Sequence, residues 1–183
     1  MRVKHLCYTL FIILLPGFVV FTLQEWKINN NFSVHFKDRF AEGIFESLKG
    51  SVIFDTNHLA NSSFDILVDV NSINTGNKLK NKHARGPKWF DAEKYPVIHF
   101  VSDSIFKKDS LYFSSGSLSI KDSTKKIEIP FKFYTEGDSA VFSSTFSINR
   151  EDFGIGIIKG DKRDSTLLTI TVPVSRLTQP AGQ

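Results

Sequence analysis

Apolar and polar residues alternate along most of the chain from about residue 24 onward. Strict alternation of this kind predicts β-strands that bury one face. The clearest segments are FDILVDV at 64–70, IEIPFKF at 127–133 and STLLTITVPV at 165–174. Shorter or less regular alternation adds strand candidates at 31–36, 48–55, 96–104, 110–120 and 139–148.

Turn-forming residues separate these strands at regular intervals. Clusters of Asp, Asn, Ser, Gly and Lys lie at 55–57, 107–110, 121–124 and 136–138. This spacing predicts a meander of about eight antiparallel strands, hence a barrel or a sandwich. Pro130 and Pro173 fall inside strand patterns, so each is predicted at an edge, a strand end or a bulge.

One long stretch, 74–95, lacks the alternation. It is basic and polar, and it ends in an aromatic pair, Trp89 and Phe90, just before Pro96. A structureless loop of this length is unusual in a compact domain. We therefore predict one or two short helices within it, the first around Lys78–Ala84.

The N-terminus has the layout of a secretory signal peptide. A basic head is followed by LCYTLFIILLPGFVVFTL, which carries no charge. We predict a signal peptide at 1–23, a barrel domain at 24–178 and a disordered tail at 179–183. The expected location is outside the cytoplasm, periplasmic or extracellular. The alternative is an uncleaved anchor, since the run approaches the length that spans a bilayer.

Export changes the chemistry that remains. The single cysteine, Cys7, lies inside the predicted signal peptide, so the mature chain would have no disulfide and no thiol nucleophile. Lys plus Arg falls from 23 to 21 against 19 acids, a net charge of about +2. A nearly neutral domain gives no general reason to expect nucleic acid as a partner.

Candidate catalytic and metal-ligating patterns are missing. The sequence contains no nucleophile elbow, zinc-protease motif, phosphate loop or EF-hand. The histidines at 35, 58, 83 and 99 have no metal-like spacing. We expect no enzymatic activity, no metal and no cofactor. The apolar stripes alone leave two interpretations, because an eight-stranded barrel either fills itself with side chains or holds one small ligand.

Five motifs occur in a fixed order. GIFESLKGSVIFD spans 43–55, SINT spans 72–75, KHARGPKWFDAEKYPVIHF spans 82–100, GSLSIKDSTK spans 116–125 and NREDFGI spans 149–155. Together they resemble the YceI-like family, exported lipocalin-like barrels also described as polyisoprenoid-binding proteins. The resemblance covers about Trp26 to Val174. Trp89 stands where the family has Phe, and Asp122 where its hairpin has Gly.

The resemblance implies an all-β fold, a single antiparallel eight-stranded lipocalin-like barrel. It also implies an apolar tunnel for an isoprenoid-type lipid, a polyprenyl phosphate or an isoprenoid quinone. The candidate lining residues are Phe64, Ile66, Val68, Ile98, Phe100, Leu118, Ile120, Ile129, Phe131, Phe142, Phe146, Leu168 and Ile170. The lid candidates are Trp89, Phe90 and His83. In the alternative interpretation the aromatic pair only fastens the 74–95 segment to the core.

Three further questions stay open at this level. The basic residues of 78–88 form either a solvated face or a surface for a pyrophosphate head or the membrane. The alternative function is a filled barrel that acts as an envelope interaction or stress-response protein without a small ligand. The oligomeric state is also open, with a homodimer as one alternative.

Arg150 is predicted to pin a turn through a carboxylate or a carbonyl group.

Overall fold

The computed structural model describes residues 23–39, 41–156 and 165–177. The predicted signal peptide, apart from Leu23, and the predicted tail lie outside the described residues. No helix of the described ranges is long and apolar enough to cross a membrane.

The first part of the meander consists of short, interrupted strands. The alternating pattern breaks at a few polar residues, so that each long strand divides into two. The pieces are β1 (Glu25–Ile28), β2 (Ser33–Lys37), β3 (Glu42–Phe45), β4 (Leu48–Ile53), β5 (Ser63–Asp69) and β6 (Ile73–Asn74). β2, β3 and β6 pair in series beside β1, β4 and β5, which pair in the same way.

The second part consists of long strands where the alternation is strict. These are β7 (Val97–Lys108), β8 (Leu111–Ile120), β9 (Ser123–Glu136), β10 (Ser139–Asn149) and β11 (Ser165–Arg176). Tight turns join β7 to β8 and β8 to β9. Asp109 and Lys121 adopt positive φ values of 55° and 57° there.

β11 closes the sheet on itself. It pairs with β10 on one side and with both β1 and β2 on the other, through Trp26↔Arg176 and Phe36↔Leu168. The ring β1-β4-β5-β7-β8-β9-β10-β11 therefore has eight strands, and all its pairings are antiparallel. The predicted all-β, eight-stranded barrel is confirmed.

A helix interrupts the long connection between β6 and β7, as predicted. This helix, α1 (Lys78–Arg85), begins at Asn77, whose side chain accepts hydrogen bonds from the backbone N–H groups of Leu79 and Lys80. An N-cap of this type satisfies donors that have no partner within the helix. Short 3-10 turns lie at Leu59–Asn61, Val70–Ser72 and Arg150–Phe153.

The ladder between β9 and β10 stops before the ends of both strands. It runs from Ser139↔Glu136 to Ser143↔Lys132 and no further, although β9 continues back to Ser123 and β10 on to Asn149. We call the unpaired part, 123–131 facing 144–149, the seam. Here Ser144 Oγ donates a hydrogen bond to the Pro130 carbonyl.

Pro130 lies at the start of the seam and removes one of the donors that would continue the ladder. In an antiparallel strand, the N–H and C=O of one residue point to the same neighbour. Since the Pro130 carbonyl faces β10, the N–H that proline lacks would also face β10, and the ladder loses a donor there. Pro173 lies at a second irregularity, because its carbonyl accepts from Asn29 N between β1 and β2. Both prolines thus lie where the pairing is interrupted.

One half of the barrel interior is packed solid with aromatic rings. Phe54, with none of its surface exposed, lies 4.7 to 5.5 Å, centroid to centroid, from the rings of Phe131, Phe133 and Phe142. Trp26 closes the cluster from β1 and donates its indole N–H to the Phe54 carbonyl at 2.9 Å. We call these five residues the aromatic plug. It fills the end of the barrel opposite α1.

Candidate ligand-binding cavity

The other half of the barrel is hollow. An internal cavity of about 370 Å³ extends from the plug to the end of the barrel that carries α1. Its wall is almost entirely apolar, and it includes all thirteen of the predicted lining residues. These residues share one property, which is that each occupies an inward position of an alternating strand. Their contact with a ligand stays a prediction.

Phe131, Phe142 and Phe64 form the floor of the cavity. Phe131 and Phe142 belong to the plug, and Phe64 packs on it with ring centroids 5.5 Å from both. All three also line the cavity. The two interpretations of the apolar stripes, a filled barrel and a hollow one, therefore each describe one half of this molecule.

The predicted lid residues lie at the opposite end, which we call the mouth. Trp89, Phe90 and His83 all line the cavity there. Phe90 meets Phe45 edge-on, with ring centroids 6.0 Å apart. Both members of the aromatic pair also pack against buried core residues. The pair thus fastens the 74–95 segment to the barrel and narrows the mouth at the same time.

Part of the wall comes from the interrupted strands, and its residues were not among those predicted from the sequence. It consists of buried or half-buried apolar residues on β2, β3, β4 and β6 and in the turns beside them. They are Val34, Phe36, Ala41, Phe45, Leu48, Val52 and Ile73. The alternation in SVHF and in LKGSVI indicates these inward positions. The strands are too short, however, for the alternation alone to identify their inward residues. Ala84, Ile148, Ile155 and Val172 complete the apolar wall.

Apart from Arg150, the polar residues of the wall occur in two groups. Ser114, Ser144 and Thr166 are buried on β8, β10 and β11, with exposed fractions of 1%, 9% and 9%. Asp38, Thr75, Lys80 and His83 lie at the mouth, where Lys80 and His83 are exposed to solvent. The cavity is therefore charged only towards the end at which it reaches the surface.

Arg150 is a buried cation in the wall, with 2% of its surface exposed. Its Nη1 donates to the Ile155 carbonyl at 2.7 Å, and the guanidinium lies 5.4 Å from the Trp89 ring centroid. Gly156, at φ 82°, leaves room for this guanidinium, with which any side chain there would collide. The bond to the Ile155 carbonyl is one of the two predicted interactions. Arg150 thus holds the 150–156 turn beside Trp89.

Titratable groups on the outer face of the barrel form ion pairs with one another and do not line the cavity. His35 Nε2 lies 3.1 Å from Glu42, and His99 Nε2 lies 2.7 Å from Asp65. A hydrogen bond from Lys37 is the main cause that lowers the pKa of Glu42. No group of three or more His, Cys, Asp or Glu in the described ranges could hold a metal ion.

The basic residues of α1 face solvent beside the mouth. Lys78, Lys80 and Lys82 are exposed, and no acidic residue lies between Thr75 and Phe90. Leu79, between the first two lysines, keeps 62% of its surface exposed. An exposed leucine among lysines at the rim of an apolar cavity makes α1 both cationic and partly apolar.

An antiparallel eight-stranded barrel around one apolar cavity defines the lipocalin-like class. Within that class, the chain belongs to the YceI family, because the model of the YceI-like domain matches residues 21–175. Protein YceI of Salmonella newport is 25% identical over 162 residues, which cover 81% of this chain and 85% of that protein. The resemblance inferred from the five motifs is thereby confirmed.

Solved structures agree with this assignment. Burkholderia cenocepacia BcnA superimposes with a TM-score of 0.75 at 25% identity, over 80% of this chain and 99% of that one. A polyisoprenoid binding domain from Saccharophagus degradans, implicated in plant cell wall breakdown, has a TM-score of 0.62 at 14% identity. That match covers 85% of this chain and all of the other. At 14% identity it supports the fold alone.

Proposed function

We propose that this protein is an exported, non-enzymatic carrier that holds the chain of an isoprenoid-type lipid in the barrel cavity. The observation that carries the proposal is the hollow half of the barrel, since about 370 Å³ lies within the range of ligand pockets. A polyisoprenoid binding domain from Saccharophagus degradans shares this fold, and we infer the same class of ligand for this chain. The export signal predicted at 1–23 supports a periplasmic or extracellular location.

The energetics suit an isoprenoid chain. Such a chain needs no dedicated hydrogen bonds, because each buried CH₂ contributes about 0.8 kcal/mol. At about 30 Å³ for a water-sized group, the cavity of about 370 Å³ holds about twelve such groups. That is about two to three five-carbon units. A longer chain would extend through the mouth or widen the barrel.

The test is native mass spectrometry of the protein purified from a bacterial periplasm, followed by lipid extraction. We expect a chain shortened by the signal peptide that carries a stoichiometric adduct of isoprenoid mass. Phe146→Glu should lower adduct occupancy at least about tenfold, because it places an unpaired charge in the apolar wall. Phe131→Glu should act likewise, although it also disturbs the plug.

Ser147→Glu is the matched control, since Ser147 is the next residue of β10 and faces solvent. It should keep both the adduct and the melting temperature of the wild type. A clean apo mass, with no uptake of added polyprenyl phosphate, quinone or fatty acid, would contradict the carrier function. The remaining function would then be that of an interaction protein of the envelope.

We further propose that α1 contacts the anionic surface of the membrane from which the lipid is taken. Basic residues near such a surface attract it by about 1 kcal/mol each, and Leu79 adds an exposed apolar contact. The triple substitution of Lys78, Lys80 and Lys82 by Glu should abolish flotation with phosphatidylglycerol vesicles. Lys107 and Lys108, at the opposite end of the barrel, serve as the control pair. Equal binding of both variants would contradict this surface.

A further inference from the structure

One dipeptide, Asp-Ser, recurs in the second half of the chain. It occurs five times, and each copy is followed by Ile, Leu, Ala or Thr. Four copies lie in the described residues, at 103–104, 109–110, 122–123 and 138–139. The last three of these lie at the hairpin turns before β8, β9 and β10. Asp and Ser are common turn residues, so turn chemistry is the first explanation to consider.

Turn geometry does not account for the repetition. Asp109 itself adopts a positive φ of 55° in the turn before β8. In the other two turns the positive φ belongs to the residue before the aspartate, which is Lys121 or Gly137. The copy at 103–104 lies inside β7, at a register shift. The dipeptide thus has no fixed place in the backbone, and its repetition needs another reason.

At two of the copies the side chains contribute little to the fold. Ser110 and Ser139 are exposed, and neither hydroxyl has a hydrogen-bond partner among the residues that the structure describes. The Asp109 carboxylate has no partner in the same ranges. Asp138 keeps 84% of its side chain exposed and lies 3.8 Å from Arg176 Nε. Each of these turns therefore presents an exposed hydroxyl directly after an exposed carboxylate.

The other two described copies are engaged within the fold. The Asp103 carboxylate forms an ion pair with Lys126 Nζ. Ser123 is half-buried, and its hydroxyl lies 3.4 Å from Asp122 Oδ1. An enzyme that acts on the folded protein would find both groups of the dipeptide accessible only in the turns at 109–110 and 138–139, of the four copies described.

Both of these turns lie at the end of the barrel that the plug fills. The turn at 109–110 leads into Tyr112, whose ring contacts Phe54 edge-on. At the other turn, the Asp138 carbonyl accepts from Arg176 N, and the Arg176 guanidinium lies 5.4 Å from the Trp26 ring centroid. α1 and the mouth lie at the opposite end. A bulky group on either serine would therefore leave the mouth uncovered.

The compartment narrows the chemistry of such a group. Serine phosphorylation needs ATP, which is not supplied outside the cytoplasm. Glycans are available there, joined through a phosphate or pyrophosphate to a polyprenyl carrier, and they are bulky, solubilising groups of protein surfaces. In such a transfer the serine Oγ attacks C1 of the glycan, and a C1–Oγ bond forms. The bond between C1 and the phosphate oxygen breaks, the phosphate leaves with the electron pair, and a base of the transferase takes the hydroxyl proton.

We propose that Ser110 and Ser139 are sites of O-linked glycosylation, which a glycosyltransferase recognises through the aspartate before each serine. An enzyme that acts on turns of different shape must read the sequence, and Asp-Ser is the element that these turns share. The inference goes beyond the carrier function, but it rests on the exported location proposed with that function.

The test is mass spectrometry, under denaturing conditions that remove bound lipid, of the protein purified from the organism that encodes it. We expect the processed chain to carry two glycans, and fragment ions should place them on Ser110 and Ser139. Ser110→Ala and Ser139→Ala should each remove one glycan. The double variant should have the mass of the bare chain.

Two further variants test recognition of the aspartate. Asp109→Asn keeps the hydroxyl of Ser110 and a residue that tolerates a positive φ, but it removes the charge, so the glycan on Ser110 should be lost. Ser110→Thr keeps a hydroxyl and should keep the glycan. Ser63→Ala is the matched control, because Ser63 is exposed and follows a serine instead of an aspartate. It should carry both glycans.

The possible failures are distinguishable. A processed chain with a bare mass would overturn the inference and leave the carrier function to its own lipid-binding test. A chain that retains residues 1–23 would show that the proposed export is wrong, and the inference falls with it. Glycans that persist in the double variant, or a phosphoryl group at either serine, would also overturn it.

Discussion

A few single residues mark the boundary between the packed half of the barrel and the cavity. Phe131 and Phe142 each face the plug on one side and the cavity on the other. Ser114 is the inward position of β8 after Tyr112, and Ser144 is the inward position of β10 after Phe142. An aliphatic or aromatic residue at either position would extend the plug. Side-chain choice at a few inward positions therefore determines how far up the barrel the cavity begins.

Asp55 links residue-scale electrostatics to pH. Hydrogen bonds from the His58 ring and the backbone N–H of Asn57, at 2.9 and 2.8 Å, hold the pKa of its carboxyl below the ordinary value of 3.8. A carboxyl whose pKa is lower in the folded state stabilises the fold above its unfolded pKa. This contribution is lost as the pH falls through the folded pKa, below about 3.8.

We predict that Asp55→Asn lowers the free energy of unfolding at pH 7 by about 1 kcal/mol, the loss of one charged hydrogen bond. The difference from the wild type should shrink as the pH falls from about 5 to about 2, because the wild type loses the same contribution on protonation. Urea unfolding at several pH values checks this. Thr56→Ala, in the same exposed turn as Asp55, removes no ionisable group and should show no such pH-dependent difference.

At the scale of elements, the sequence was most informative where strands are long. β5 and β7–β11 follow directly from the alternation, and with them the positions of the predicted lining residues. The short pieces β1, β3 and β6 were not predicted, because two to four residues are too few to establish a period. α1 was predicted from the absence of alternation, and Asn77 is a typical N-cap.

α1 depends on that cap, since the helix has only eight residues and none of them is buried. We predict that Asn77→Ala destabilises it by about 1 kcal/mol. Amide hydrogen exchange at 78–85 should accelerate accordingly, and lipid affinity should fall, since Lys80, His83 and Ala84 line the mouth. Asn77→Asp keeps an acceptor at the cap and should behave like the wild type. Equal exchange in all three proteins would mean that packing alone holds the helix.

At the scale of the molecule, the sequence indicated a barrel but not how its interior is divided. The inward stripes of the plug and of the cavity have the same period and the same residue types. The plug and the cavity differ because aromatic rings from distant parts of the barrel meet only in the plug. Phe54, which follows β4, contacts Phe133 and Phe142 there. The burial of Arg150 in the wall was also not predictable, because it depends on Gly156 and Trp89 lying beside it.

The seam between β9 and β10 has a consequence for the elasticity of the barrel. Elsewhere, a larger circumference requires breaking ladder hydrogen bonds, each worth about 0.5–1.5 kcal/mol net. Along 123–131 and 144–149 the β9–β10 ladder is absent, and Ile127, Ile129 and Ile148 pack against a buried cluster that includes Phe153. We therefore expect the barrel to expand there without that cost, and we expect chain length not to be limited by the resting volume of the cavity.

This elasticity predicts a chain-length profile. Affinity for isoprenoid-type lipids should keep rising beyond the two to three units that the resting cavity holds. Pro130→Val, which restores a backbone donor towards β10, should stiffen the wall and shift the preference to shorter chains, as measured by competition binding across a series of lengths. Pro173→Val, which restores a donor opposite the break between β1 and β2, should leave the profile unchanged. If all three proteins share one profile, the seam does not govern expansion, and long chains leave through the mouth.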